Sequence, residues 1–279
     1  MRPWSPGVCV SEIMYNPNGI IKKLEAMETD PTITYFMSSE ALCRFNYMMD
    51  ALARKFEIVL TVLTVRSSLP MILSEYCWSG WLARAPGAVR FPGRLDKVAK
   101  DIAALSAYGP VTLCPIEPAN LSTRFCEALA GHAPEVVEQI SKRAGSVNVS
   151  ISPALAEALH WAVKSRTAAP VPGPMRHSVV KMAMANKGPA SFYDLMPQQF
   201  LAAFRNADLV EEELAEYGAL LSARGVSDSV RDEALAISRS QIAGIASRAP
   251  ADEVTKAVLR EHAALIISKI EKAHPHAFA

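Results

Sequence analysis

Leu95, Val98, Ile102 and Leu105 recur three and four residues apart, and this helical period governs most of the chain. It predicts a helix over 94–108. A turn at Asn16-Pro17-Asn18-Gly19 precedes a short helix over 20–28. Ser38 or Ser39 caps the next, in which Leu42, Phe45, Met49 and Leu52 repeat at helical spacing. The run 56–65 that follows is β-branched and compatible with a strand. No glycine or proline separates it from the helix before it, so the pattern favours one long buried helix to about Arg66. Pro70 opens another, through Glu75, Trp78 and Leu82.

Pro110, Pro115 and Pro118 mark a connector, and two short helices are expected over 121–130 and 134–144. Val147, Val149 and Ile151 alternate, which allows one short extended piece. Ser152-Pro153 combines a capping side chain with proline at the first helical position, and that helix should run to about Ser165. Pro170, Pro172 and Pro174 make 167–175 the best linker. Four helices are expected beyond it, over 175–186, 197–217 extending towards Ala223, 227–247 and 251–272.

The fold class is therefore all-α: a multi-helix globular protein with an irregular, proline-rich N-terminal arm and at most one short extended segment. The expected organisation is an N-terminal helical lobe over 1–166 carrying an arm at 1–13, a linker at 167–175, and a four-helix lobe over 176–279. A single interlocked domain is the alternative.

Composition agrees with a packed core. Of 279 residues, 50% are hydrophobic and 20% charged, which excludes global disorder. Net charge is +1, so no overall field draws the chain to nucleic acid or to an anionic surface. Cys9, Cys43, Cys77, Cys114 and Cys126 are odd in number and form no C-x-x-C pair, arguing against a disulfide framework and for reduced packing thiols. No secretory signal pattern opens the chain, and no apolar run approaches the roughly 18 residues of a membrane helix. The expected setting is cytoplasmic, or the interior of a host cell.

Phosphate-loop, dinucleotide, nucleophile-elbow and zinc-protease motifs are all missing. One metal pattern occurs. Glu157-x-x-His160 and Glu271-x-x-His274 each place two ligands on one helix face, and Glu57 and Glu75 complete the donor set of a di-iron carboxylate bundle. Iron is the cofactor of that alternative; otherwise no cofactor is expected.

Charge pattern is more informative. No acid lies between Glu157 and Asp194, where Lys164, Arg166, Arg176, Lys181 and Lys187 occur. None lies between Glu75 and Asp96, where Arg84, Arg90 and Arg94 occur. Asp208, Glu211, Glu212, Glu213 and Glu216 form a block without a base. Solvated helix faces account for such patterns well. The functional alternative is a basic groove in which Trp78, Trp81, Phe91 and Trp161 stack on bases, although large aromatics at helical spacing serve equally as core. Basic and acidic stretches on one chain also suit head-to-tail association, with the 1–13 arm as the exchanged piece. The leading expectation is a non-enzymatic, self-assembling structural protein, extended to coating single-stranded nucleic acid. The rivals are the di-iron enzyme and an intracellular adaptor or effector binding a protein through 170–174.

Overall fold

A computed structural model describes residues 17–26, 28, 46–91, 94–115, 121–131, 137 and 150–278. The N-terminal arm at 1–13, the Ser38–Ser39 cap, most of the helix expected at 134–144, and Val147 and Val149 lie outside the described residues. Among those described, eleven α-helices and two strands occur, so the protein is all-α with one minor sheet. The described contacts divide the chain into two compact units. Unit 1 takes Met1–Val65, Leu95–Gly145 and Leu220–Ser227, and unit 2 takes Arg66–Arg94, Ser146–Ala219 and Asp228–Ala279. The proline-rich stretch at 167–175 falls inside unit 2.

Unit 1 contains α1 (Pro17–Ala26), α2 (Asn46–Lys55), β1 (Thr61–Val65), α4 (Arg94–Ser106), β2 (Val111–Pro115) and α5 (Leu121–Leu129). Leu24, Met48, Met49, Leu52 and Leu105 form its apolar centre. Lys55 ends α2 and donates its Nζ to the Leu24 carbonyl at 2.6 Å, satisfying a carbonyl that the end of α1 leaves open. The long helix expected through 56–65 is corrected here. The helix stops at Lys55, and β1 pairs in parallel with β2 in the register Thr61↔Val111 to Val65↔Pro115. Val62, Thr64 and Val65 prefer extended backbone, and the partner strand, absent from any local window, decides the outcome. The same pairing turns part of the expected 110–118 connector into a strand. Gly109 permits the approach, because a Cβ there would collide with the Ile58 carbonyl oxygen.

Unit 2 contains α3 (Ser68–Trp78), α6 (Pro153–Lys164), α7 (Gly173–Ala185), α8 (Gln198–Phe204), α10 (Asp228–Ala246), α11 (Glu253–Ala273) and most of α9 (Ala207–Ala223). Its core gathers Leu155, Leu159 and Val163 of α6, Leu259, Ala263, Ile266 and Ile270 of α11, and Leu69, Ile72 and Tyr76 of α3. Tyr76 and Phe200 meet with ring centroids 5.1 Å apart. The Ser152-Pro153 start is observed as expected, the Leu155 amide donating to Ser152 Oγ at 3.2 Å. The helix expected from 197 to 223 is broken between α8 and α9. Asn206 Oδ1 accepts the Leu209 amide at 3.2 Å and restarts the helix, a local competition typical of asparagine.

One buried acid is structural. Glu213, 5% exposed on α9, accepts the Ser68 amide in the first turn of α3, where the Ser67 hydroxyl makes no capping bond. Burial raises its pKa, the Ser68 contacts lower it, and Glu216 and Glu212 raise it again, for a net upward shift. The folded state therefore takes up a proton before the unfolded chain does. Stability gained from that uptake grows as pH falls through the raised value and is complete below the ordinary 4.5. Glu213→Gln keeps the acceptor and removes the buried charge. The variant should be more stable than wild type near pH 7, with the gap closing below about pH 4.5 in denaturant titrations. A variant less stable at pH 7 would show instead that the charge itself caps α3.

Candidate nucleic-acid interface

α6 is interior along most of its surface: Pro153, Ala154, Leu155, Ala156, Ala158, Leu159, His160 and Val163 are buried. What remains outward is a strip holding Glu157, Trp161 and Lys164. α11 runs alongside in the same direction. Lys256 and Arg260, near its start, act electrostatically on Glu157, while Glu271 near its end meets Arg166 Nε at 3.5 Å. Asp252 sets the start of α11 by accepting the Thr255 amide at 2.7 Å.

Between these helices lies a groove of about 430 Å³. Glu157 and Trp161 line one wall, Lys256, Leu259 and Arg260 the other, and Met196 to Gln199 with Pro250 and Ala251 close the end. That end is pinned by backbone and side chain together. The Met196 amide donates to the Ala249 carbonyl at 3.0 Å, and Arg205 donates from Nε to Ala246 and from a terminal nitrogen to Arg248, both at 2.8 Å. Burial pushes the Glu157 carboxyl upward, and Lys256 and Arg260 pull it back. Lys256 Nζ also reaches Glu253 at 2.6 Å. Arg260 is exposed and makes no hydrogen bond or ion pair among the described residues.

Trp161 is 56% exposed. Its ring is held edge-on by His160, centroids 5.1 Å apart at 76°. His160 is itself fixed, donating from Nδ1 to the Trp81 carbonyl at 2.7 Å, and burial lowers its pKa so that it stays neutral. A buried histidine thus positions an exposed indole.

The residues expected from sequence divide unevenly. Trp81 is corrected: it is fully buried in the core and presents no face for a base, because the short turn Gly80–Leu82 folds inward. Trp78 is 42% exposed. Arg84 meets Glu75 at 3.5 Å. Arg176 Nε donates to the Val171 carbonyl at 3.1 Å. Arg90, Lys164, Lys181 and Lys187 are exposed and make no hydrogen bond or ion pair among the described residues. The backbone of Arg94 begins α4, in unit 1 by its helix and in unit 2 by its own contacts. Of the metal candidates, Glu57 falls in unit 1 and Glu75, Glu157, His160, Glu271 and His274 in unit 2. Among the described residues no three histidine, cysteine, aspartate or glutamate side chains gather as a donor set. Within the acidic block, Glu211 pairs with Arg239 and Glu213 is buried, leaving Asp208, Glu212 and Glu216 exposed.

Lys256, Arg260, Gln198 and Gln199 were not legible as site residues. Along the chain Lys256 and Arg260 sit beside Asp252 and Glu253, which cancels them in any linear count of charge. Comparison with protein-family models, curated proteins and solved structures gives no match, so the chemistry of the site rests on this chain's own geometry.

Because folded His160 resists protonation, the unfolded chain binds a proton first as pH falls below 6.5, and the stability contributed by the neutral ring is lost through that window. His160→Asn keeps a donor for the Trp81 carbonyl and cannot titrate. Its stability should fall less than that of wild type between pH 7.5 and 5 in thermal melts, whatever its absolute value. Parallel pH profiles would remove His160 as a titrating group.

Proposed function

We propose that this is a non-enzymatic structural protein that binds single-stranded nucleic acid through unit 2. The observation that carries this reading is the outward strip of α6. It presents an exposed indole with Lys164 three residues on, at the head of an acid-free stretch whose Lys181 and Lys187 are also exposed. An exposed tryptophan beside uncommitted cations suits a strand, because every base has a face to stack and every linkage a charge. Arg90 adds a further uncommitted cation from the second acid-free stretch.

Each phosphate neutralised on a single strand contributes about −0.7 to the slope of log affinity against log salt. Replacing Arg90, Lys164, Lys181 and Lys187 together by alanine should flatten that slope by up to about 3 units and weaken binding to all sequences alike. Neutralising Asp208, Glu212 and Glu216 is the control and should not weaken binding. Wild-type protein without salt-dependent affinity for single-stranded RNA or DNA would remove the reading.

Self-association is supported by a separate observation. Val254, Val258 and Leu265 are 76%, 48% and 53% exposed, on the side of α11 opposite its buried Leu259, Ala263, Ile266 and Ile270. An apolar stripe facing away from the core suits contact with another chain, and a second copy is the partner this reading assigns. Val258→Lys with Leu265→Lys should lower the mass measured by light scattering while changing stability by under about 0.5 kcal/mol per site. Equal masses for variant and wild type would free the stripe of that role.

A further inference from the structure

We infer that the groove between α6 and α11 seats one nucleotide of a single strand and selects guanine, the base stacked on Trp161, its Watson–Crick edge on Glu157 and its phosphate on Arg260. This rests on the single-strand reading above and adds a base preference to it.

Size comes first. About 430 Å³ lies within the roughly 300–1,000 Å³ of small-molecule sites, and is too small for a folded partner or a duplex. The wall chemistry then narrows the ligand. Glu157 and Trp161 are four residues apart on one helix face, so their Cβ atoms stand about 6 Å apart. A planar ring on the indole therefore brings its edge to the carboxylate. A carboxylate only accepts hydrogen bonds. Among the common bases guanine alone offers two adjacent donors, N1–H and N2–H, that match both oxygens. Adenine and cytosine set an acceptor beside their amino group, and uracil flanks its single N–H with two carbonyls, so each places a lone pair against the carboxylate. Burial raises the Glu157 pKa overall, Lys256 and Arg260 on the facing helix oppose that rise, and N–H donors brought to the carboxylate edge by a phosphate-bearing ligand favour its accepting form. Arg260, exposed and without a hydrogen bond or ion pair among the described residues, is placed to take the linking phosphate. Gln198 and Gln199 at the closed end offer amides to the remaining polar atoms of the base or sugar.

The test uses fluorescence anisotropy of labelled oligothymidine strands of one length. They carry a single guanine, or a single inosine, which lacks the N2 amino group. Wild type should prefer the guanine strand about tenfold, as expected for loss of one arm of a bidentate contact. Glu157→Gln should abolish the preference and leave affinity for the inosine strand unchanged. Trp161→Ala should weaken both strands about tenfold or more, with Trp161→Phe largely restoring them. Arg260→Ala should weaken both strands and reduce the salt slope by about 0.7. All three side chains line the groove, and circular dichroism checks that each variant folds. Equal wild-type affinity for guanine and inosine strands overturns the base preference. Unchanged binding in Trp161→Ala and Arg260→Ala, with wild type still binding, overturns the groove while the single-strand reading stands. Failure of wild type to bind any strand overturns both.

Discussion

The burial of α6 constrains everything else in unit 2. Eight of its twelve residues are buried, so the helix has almost no freedom in what it shows to solvent. Fully burying each leucine contributes about 1.5–3 kcal/mol, and Leu155 and Leu159 are both inaccessible. Rotating α6 to hide Trp161 would expose those side chains. The indole is outside because the other positions of the helix are more costly to expose. Its position follows from the core rather than from any contact of its own beyond His160.

Two buried polar groups then fix helix ends that apolar packing leaves loose. Glu213 answers an amide at the start of α3, and His160 answers the Trp81 carbonyl just past its end. They bracket α3, and both would be destabilising without partners. Their titrations act in opposite directions. Acidification favours the folded form at Glu213 and disfavours it at His160. The same histidine carries the exposed ring on its edge, so a group that stabilises the core also sets the geometry of the groove.

Local signals were legible where the physics is local. The Ser152-Pro153 start and the Leu95, Val98, Ile102, Leu105 stripe required only neighbours within a turn or two, and both are observed. Residues 56–65 misread because their deciding partner, Val111–Pro115, lies far along the chain. Trp81 and Trp161 look alike in sequence, each among apolar neighbours. Only the inward turn at Gly80–Leu82 and the outward strip of α6 distinguish core from surface. The break at Asn206 depended on a side chain choosing the backbone over the helix. The candidate surface was half legible. Trp161, Lys164 and the acid-free stretch stood out as candidates, whereas Lys256 and Arg260 joined them only when α11 was laid beside α6.

A net charge of +1 would ordinarily discount an anionic partner, but net charge counts residues that folding has already committed. Arg84, Arg166, Arg239 and Arg231 meet acids within the chain, and Glu75, Glu271, Glu211 and Asp228 are used in return. Such exposed pairs add little stability, commonly under about 1 kcal/mol, yet they remove both partners from the field seen by a ligand. What is left matters more than the total. In the groove the cations are Lys256, which pairs with Glu253, and the exposed Arg260, and both act on the half-buried Glu157 carboxylate. An acid retained inside a cationic groove is a poor device for holding phosphate alone, because it repels it. It suits a ligand that brings hydrogen-bond donors and a phosphate together. A nucleotide whose base carries adjacent N–H groups has that combination, and a bare polyanion does not.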